Sequence, residues 1–158
     1  MTRSAFTILT LGVILQMFSS SAIAFRGISI GGNLIPNGSK LGVLLQGHMG
    51  PISPFSEYFT KSGTTTINLG VNLLLNKNSV SVIRAYGGFG VGVSRNSTQG
   101  KSKTQPMVNA LYGHNLKLSN TIGLFLQTKY VYNLGASNSL SNLVNRNFIL
   151  QSGFKFEL

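Results

Sequence analysis

The chain has few side chains that could carry out acid–base, nucleophilic or metal chemistry. It contains no cysteine, and its only histidines and carboxylate residues are His48, His114, Glu57 and Glu157. A serine hydroxyl activated by a histidine and Glu57 is the hydrolytic arrangement that the chain could form. Neither histidine belongs to a His-x-Ser motif, and the four residues stand in separate segments without the spacing of metal ligands. The sequence therefore favours a protein that is not an enzyme and that uses no metal or cofactor.

The elements that would position these residues are β-strands with one apolar and one polar face. Apolar residues recur at every second position in five segments, which are 65–75, 79–94, 106–118, 121–134 and 148–158. Three weaker strand candidates precede them, at 26–34, 40–49 and 55–60. A period of two is typical of strands with an apolar surface on one side and a polar lumen on the other. Eight strands are an even number, which allows the first and the last strand to pair and close a barrel.

The connections between these strands are of two kinds. Turn signals rich in Gly, Pro, Asn and Ser occur at 35–39, 50–54, 76–79 and 119–120. Longer polar stretches occur at 95–105 and 135–146. Short turns that alternate with long loops are typical of outer-membrane barrels, whose long loops lie on the external side.

The N-terminus has the features of a secretory signal peptide. Arg3 provides a positive charge, residues 5–18 are mostly apolar, and Ala22-Ile23-Ala24 is an A-x-A cleavage motif. We therefore predict a signal peptide at 1–24 and one mature domain at 25–158. The apolar stretch is shorter than the about 20 apolar residues that a transmembrane helix needs.

The composition is unusual for a soluble domain. Charged residues make up 9% of the chain, whereas about 25% is usual in globular proteins. The formal net charge is +11, but the basic residues are scattered and no nucleic-acid motif is present. We expect no nucleic-acid partner. Basic side chains at a membrane surface could instead contact lipid phosphates.

The C-terminal residues provide the most specific signal. Gln151, Gly153, Phe156 and Leu158 form a polar-x-Gly-x-x-apolar-x-apolar pattern. This pattern resembles the C-terminal assembly signal of outer-membrane barrels, which the barrel assembly machinery reads. The mature chain as a whole resembles the small eight-stranded outer-membrane barrels of the OmpA transmembrane domain and OmpX type. The resemblance implies an all-β, eight-stranded antiparallel transmembrane barrel in the bacterial outer membrane.

Two groups of polar residues are candidates for a functional role. The first is a lumen cluster on the predicted inner face, formed by Arg84, Lys117, Lys129, Lys155 and Glu157. Because eight strands enclose little more than side chains, this cluster is interpreted as a polar plug rather than a pore. The second group is cationic and lies in the predicted loop at 95–105, where Arg95, Lys101 and Lys103 could contact an anionic surface. Outer-membrane lipid, lipopolysaccharide, and a host or phage surface are the partners considered; a solvated loop is the alternative.

These observations favour an outer-membrane barrel with a structural or surface-interaction, adhesin-like role. Three alternatives remain open at this stage. The chain could be a membrane-embedded lipid-modifying enzyme, a narrow pore that prefers anions, or a soluble secreted β-sandwich or lipocalin-like binder. The scarcity of carboxylates disfavours the enzyme, the barrel size disfavours the pore, and the low charge disfavours the soluble binder.

Overall fold

The structure is a closed antiparallel β-barrel of eight strands. The computed structural model describes residues 25–36, 40–76, 82–134 and 148–158. The strands are β1 (Gly27–Ile35), β2 (Lys40–His48), β3 (Ile52–Lys61), β4 (Thr64–Asn76), β5 (Ile83–Thr98), β6 (Lys101–Lys117), β7 (Ile122–Asn133) and β8 (Phe148–Glu157). Each strand pairs with the next, and β8 pairs with β1. The predicted all-β fold, strand number and closure are confirmed. The predicted signal peptide at 1–24 and the predicted loop at 135–146 lie outside the described residues.

Closure leaves the first and last strands without free edges. The β1–β8 ladder runs from the pair Gly27 and Glu157 to the pair Leu34 and Leu150. Full closure satisfies backbone groups that an open sheet would expose. We call the end of the barrel where β1 begins and β8 ends the termini end, and the opposite end the far end. Within the described residues, no helix is long and apolar enough to cross a membrane.

The predicted turn at 50–54 is too long. Strand β3 begins at Ile52 and contains Pro54, a residue that normally interrupts a sheet. Pro54 pairs with Val71 of β4, but it lies one residue beyond the last β2–β3 partner pair, Gln46 and Phe55. Its missing N–H therefore removes no bond from the β2–β3 ladder.

The predicted loop at 95–105 is wrong. Strand β5 continues to Thr98 and β6 begins at Lys101, so Gln99 and Gly100 alone connect them. Both residues have positive φ values, 49° and 80°, as a tight type I′ hairpin turn requires. Ser62 and Gly63 connect β3 and β4 in the same way, with φ values of 41° and 76°. The far end thus has two tight hairpins, which removes the expected contrast in loop length between the two ends for these connections.

The lumen is filled by side chains of both polarities. An apolar cluster contains Leu44, Phe55, Phe59, Met107, Phe125, Val131 and Ile149. Aromatic rings occupy the space above glycines of other strands: a Cβ at Gly31 would lie 2.7 Å from Phe125 Cζ, and one at Gly113 would lie 2.6 Å from Tyr86 Oη. Because these glycines carry no side chain, bulky rings fit inside a barrel of only eight strands.

Candidate functional site: the barrel lumen

A buried ion pair lies at the centre of the lumen. Lys129 Nζ of β7 donates to Glu57 Oε1 of β3 at 2.6 Å, and the side chains are 1% and 0% exposed. The ammonium also lies 3.3 Å from the centre of the Phe55 ring, a cation–π geometry. Glu57 and Lys129, the central ion pair, belong to strands that are not neighbours in the barrel. Their contact therefore crosses the lumen.

The central ion pair is stabilised by further hydrogen bonds to the carboxylate. Asn68 Nδ2 donates to Glu57 Oε2 at 2.9 Å, and Gln151 Nε2 donates to Glu57 Oε1 at 2.8 Å. Burial of a charge is costly unless the charge is paired and hydrogen bonded. Glu57 meets both conditions, since it accepts from an ammonium and two amides.

The hydrogen bonds extend from Glu57 across most of the barrel. Gln151 also donates to Asn33 at 2.9 Å and accepts from Gln127. Gln127 in turn donates weakly to Gln46 at 3.4 Å and accepts from the Tyr86 hydroxyl at 2.7 Å. We call this set the polar plug: Asn33 (β1), Gln46 (β2), Glu57 (β3), Asn68 (β4), Tyr86 (β5), Gln127 and Lys129 (β7), and Gln151 (β8). Side chains of seven strands thus tie the walls together and fill the cross-section.

A second polar region lies at the termini end, where the lumen opens into a cavity of about 430 Å³. We call this cavity the termini mouth. Its lining includes Arg26, His48, Arg84, Asn115, Lys155 and Glu157. Lys155 Nζ donates to Glu157 Oε1 at 2.9 Å, and these side chains are 19% and 40% exposed. Beneath the rim, the Ser29 hydroxyl and His48 Nε2 are hydrogen bonded at 2.7 Å.

The structure divides the predicted lumen cluster between these two regions. The termini mouth is lined by Lys155, Glu157 and Arg84. Lys117 interacts electrostatically with Glu157. Lys129 lies instead in the polar plug. Glu57, its partner, was absent from the predicted cluster. It alternates with Phe55 and Phe59, and apolar residues at a spacing of two indicate the outer face in the sequence, whereas these two rings lie inside the barrel.

The hydrolytic arrangement considered from the sequence does not form among the described residues. Glu57 is bonded to Lys129, Asn68 and Gln151, while His48 is bonded to Ser29. His114 lies on the outer face, where its ring packs edge-on against Tyr112 with the ring centres 5.1 Å apart. Within the described residues, no three His, Asp or Glu side chains lie together as metal ligands.

The cations at the far end do not share one face. Lys103 pairs with Asn96 and Lys101 with Thr98 in the β5–β6 ladder, so these two lysines lie on the same side of the hairpin. Arg95, one residue before Asn96, lies on the opposite side, where its guanidinium contacts Ser102 Oγ at 3.4 Å. All three side chains are exposed. An anionic surface would therefore meet two lysines from one side of the hairpin and Arg95 from the other.

The outer surface of the barrel is apolar. Large apolar side chains alternate with the lumen residues along every strand and stand exposed; they include Val43, Leu45, Val91, Phe89, Leu126 and Phe154. The predicted assembly-signal residues follow the same alternation. Gln151 is buried in the polar plug and Gly153 faces Gly31 of β1, whereas Phe156 and Leu158 are exposed.

These features define the class of fold as a small closed β-barrel with a filled lumen and an apolar exterior. No protein-family model and no curated protein matches the chain. Among solved structures, the chain is similar to the crystal structure of Neisserial surface protein A (NspA), with a TM-score of 0.58 and 15% sequence identity. The similarity covers 87% of this chain and 98% of NspA. The predicted resemblance to small eight-stranded outer-membrane barrels is thus confirmed at the level of the fold.

Proposed function

We propose that the protein is an exported bacterial outer-membrane β-barrel with a structural or surface-interaction role and no catalytic activity. The proposal rests on the distribution of side chains, which is the reverse of that in a soluble protein: apolar residues lie outside and charged residues lie inside. Val43 and Val91 on the outer face are 60% and 63% exposed, whereas Glu57, Lys129 and Gln151 inside are at most 1% exposed. A continuous exposed apolar band is a liability in water and a requirement in lipid.

The filled lumen supports a role that does not depend on transport. In the described part of the chain, the polar plug and the apolar cluster place buried side chains across the lumen. A soluble lipocalin-like binder would need the reverse arrangement, with a polar exterior and an open apolar interior. Similarity to NspA, which is described as a surface protein, agrees with the proposed location.

In this proposal the termini end faces the periplasm and the far end faces outward. Gln151, Gly153, Phe156 and Leu158 would be read by the barrel assembly machinery, and the exposed far-end hairpin would meet external partners. Outer-membrane lipid, lipopolysaccharide, and anionic host or phage surfaces have the phosphate and carboxylate groups that Arg95, Lys101 and Lys103 could contact.

Membrane fractionation combined with heat-modifiability tests the proposed location. We expect the protein in the outer-membrane fraction, where its gel mobility should differ between unboiled and boiled samples because a closed barrel resists detergent unfolding. Recovery in the soluble fraction, with a single mobility, would contradict the proposal and favour a secreted binder.

The surface role has a separate test. Replacement of Arg95, Lys101 and Lys103 by Gln removes three exposed cations without touching the lumen. We expect weaker binding of the purified protein to lipopolysaccharide-coated surfaces, and we expect the defect to shrink as salt rises. The variant K40Q/K61Q serves as the control, since these two cations lie outside the β5–β6 hairpin and outside the termini mouth. Equal binding by the triple variant and the original protein would remove these residues from the proposal.

A further inference from the structure

The termini mouth is large enough for a small molecule. Its volume of about 430 Å³ lies within the range of small-molecule pockets. Leu74 and Tyr86 line the cavity and belong to a buried cluster with Leu111, and Tyr86 donates a hydrogen bond to Gln127 of the polar plug. The polar plug therefore lies next to the cavity.

The charge of the termini mouth is unbalanced. Lys155 is paired with Glu157, and the same carboxylate also lies within the electrostatic reach of Arg84 and Lys117. Arg26 lines the cavity as well. Among the described residues, neither the Arg26 nor the Arg84 guanidinium has an ion pair or a hydrogen bond. Three cations thus act on Glu157, and Arg26 lines the same cavity. Arg26 and Arg84 have guanidinium donors without a described partner.

The donors belong to the types that bind phosphate. A guanidinium offers planar pairs of N–H groups that match two phosphate oxygens, and it remains charged at any physiological pH. Asn115 adds a neutral amide to the lining. Arg84 of β5 and Asn115 of β6 are cross-strand partners, whereas Arg26 precedes β1 on the other side of the barrel. The cavity is therefore lined by donors from two sides of the barrel.

We infer that the termini mouth binds a phosphate group through Arg26 and Arg84. The cavity has room for an organic portion beside the phosphate, so the ligand is a small phosphate ester or the headgroup of an anionic phospholipid at the barrel rim. This inference is independent of the far-end surface role, because the two regions lie at opposite ends of the barrel.

Titration calorimetry on the detergent-extracted protein tests the inference and separates the two sources. One arm uses inorganic phosphate and glycerol 3-phosphate in a neutral detergent, with chloride holding the ionic strength constant. The other arm compares nanodiscs of phosphatidylcholine with nanodiscs that also contain phosphatidylglycerol, with phospholipid retained after purification as the readout. Saturable binding of glycerol 3-phosphate identifies a soluble ester as the ligand, and selective retention of phosphatidylglycerol identifies a headgroup.

The variant R26Q/R84Q should weaken phosphate binding by about tenfold or more, since it removes both guanidinium donors. The matched control is K40Q/K61Q, which removes the same number of charges at the far end, outside the proposed surface contact, and should bind as the original protein does. If R26Q/R84Q loses its heat-modifiable mobility, Asn115→Leu tests the same cavity with every charge retained and should also weaken binding. Absence of saturable binding in both arms, or an equal loss in R26Q/R84Q and K40Q/K61Q, would overturn the inference.

Discussion

Two lysine–glutamate pairs within the described residues have different surroundings. Lys129 and Glu57 lie 2.6 Å apart and almost fully buried, whereas Lys155 and Glu157 lie 2.9 Å apart and partly exposed at the rim. The buried carboxylate has three donors committed to it. At the rim only Lys155 is bonded to Glu157, while Arg84 and Lys117 act on this carboxylate through their charge alone. The central ion pair therefore fills the lumen, whereas the termini mouth has donors that remain available for a ligand.

Strand β8 contributes to both regions and shows how close they are. Gln151 bonds to Glu57 in the polar plug, while Lys155 and Glu157, four and six positions further along the same inner face, belong to the termini mouth. The two regions are also connected through Tyr86, which lines the mouth and donates to Gln127 of the plug. The following predictions test whether these neighbouring regions differ as their burial implies.

The largest effect is expected from Lys129→Met. This change leaves the Glu57 carboxylate buried without its counter-ion, and loss of one partner of a buried pair typically costs about 3–5 kcal/mol. The measurement is the free energy of unfolding in urea, followed by far-UV circular dichroism because the chain contains no tryptophan.

A double variant, Glu57→Gln with Lys129→Met, provides the control for that prediction. It removes both charges while an amide at position 57 can still hydrogen bond with Asn68 and Gln151. We expect it to be more stable than Lys129→Met alone, since no unpaired charge remains in the lumen. A cost below about 1 kcal/mol for Lys129→Met would show that the central ion pair is hydrated and would remove the contrast with the rim.

A smaller effect is expected where the polar plug packs against a glycine. A Cβ at Gly113 would lie 2.6 Å from Tyr86 Oη and 2.7 Å from Gln127 Cβ, so Gly113→Ala displaces the ring that separates the plug from the termini mouth. Overpacking of this kind typically costs about 1–3 kcal/mol. The same urea titration measures it.

Gly32→Ala is the matched control, because a Cβ at Gly32 meets nothing nearer than 4.0 Å. Its effect should stay within about 0.5 kcal/mol. If the two alanine variants were equally stable, the Tyr86 ring would have space to move and would not be held firmly between the polar plug and the termini mouth.

The sequence predicts the inner and outer faces better than it predicts contacts across the lumen. Alternation assigns Lys129 and Lys155 to the inner face correctly, because every second residue of a strand points the same way. It does not show that Lys129 meets Glu57, since their strands, β7 and β3, are far apart in the chain and are not paired in the sheet. That contact depends on the closure and diameter of the barrel.

The β5–β6 hairpin shows that a strand can extend beyond its alternating sequence pattern. Alternation of apolar residues ends at Val93, yet β5 continues for five more residues to Thr98. Where both faces of a hairpin meet water, no apolar face is needed, and the period of two disappears from the sequence while the strand persists. Gln99-Gly100 was the remaining signal, since a glycine in a two-residue connection is typical of a tight hairpin.

The smallest effect on stability is expected from Lys155→Gln at the rim. The pair with Glu157 is partly exposed, and exposed pairs contribute about 0–1 kcal/mol, an amount that salt reduces further. The urea midpoint should therefore change little, and less at high salt, whereas phosphate binding at the termini mouth should weaken because Glu157 then competes for Arg84. At the rim, Lys155→Gln would thus change phosphate binding but hardly change stability. At the centre, Lys129→Met would change stability. Lys155→Gln could instead destabilise the barrel as much as Lys129→Met does. The rim pair would then be structural, and the proposed difference between the central ion pair and the termini mouth would be wrong.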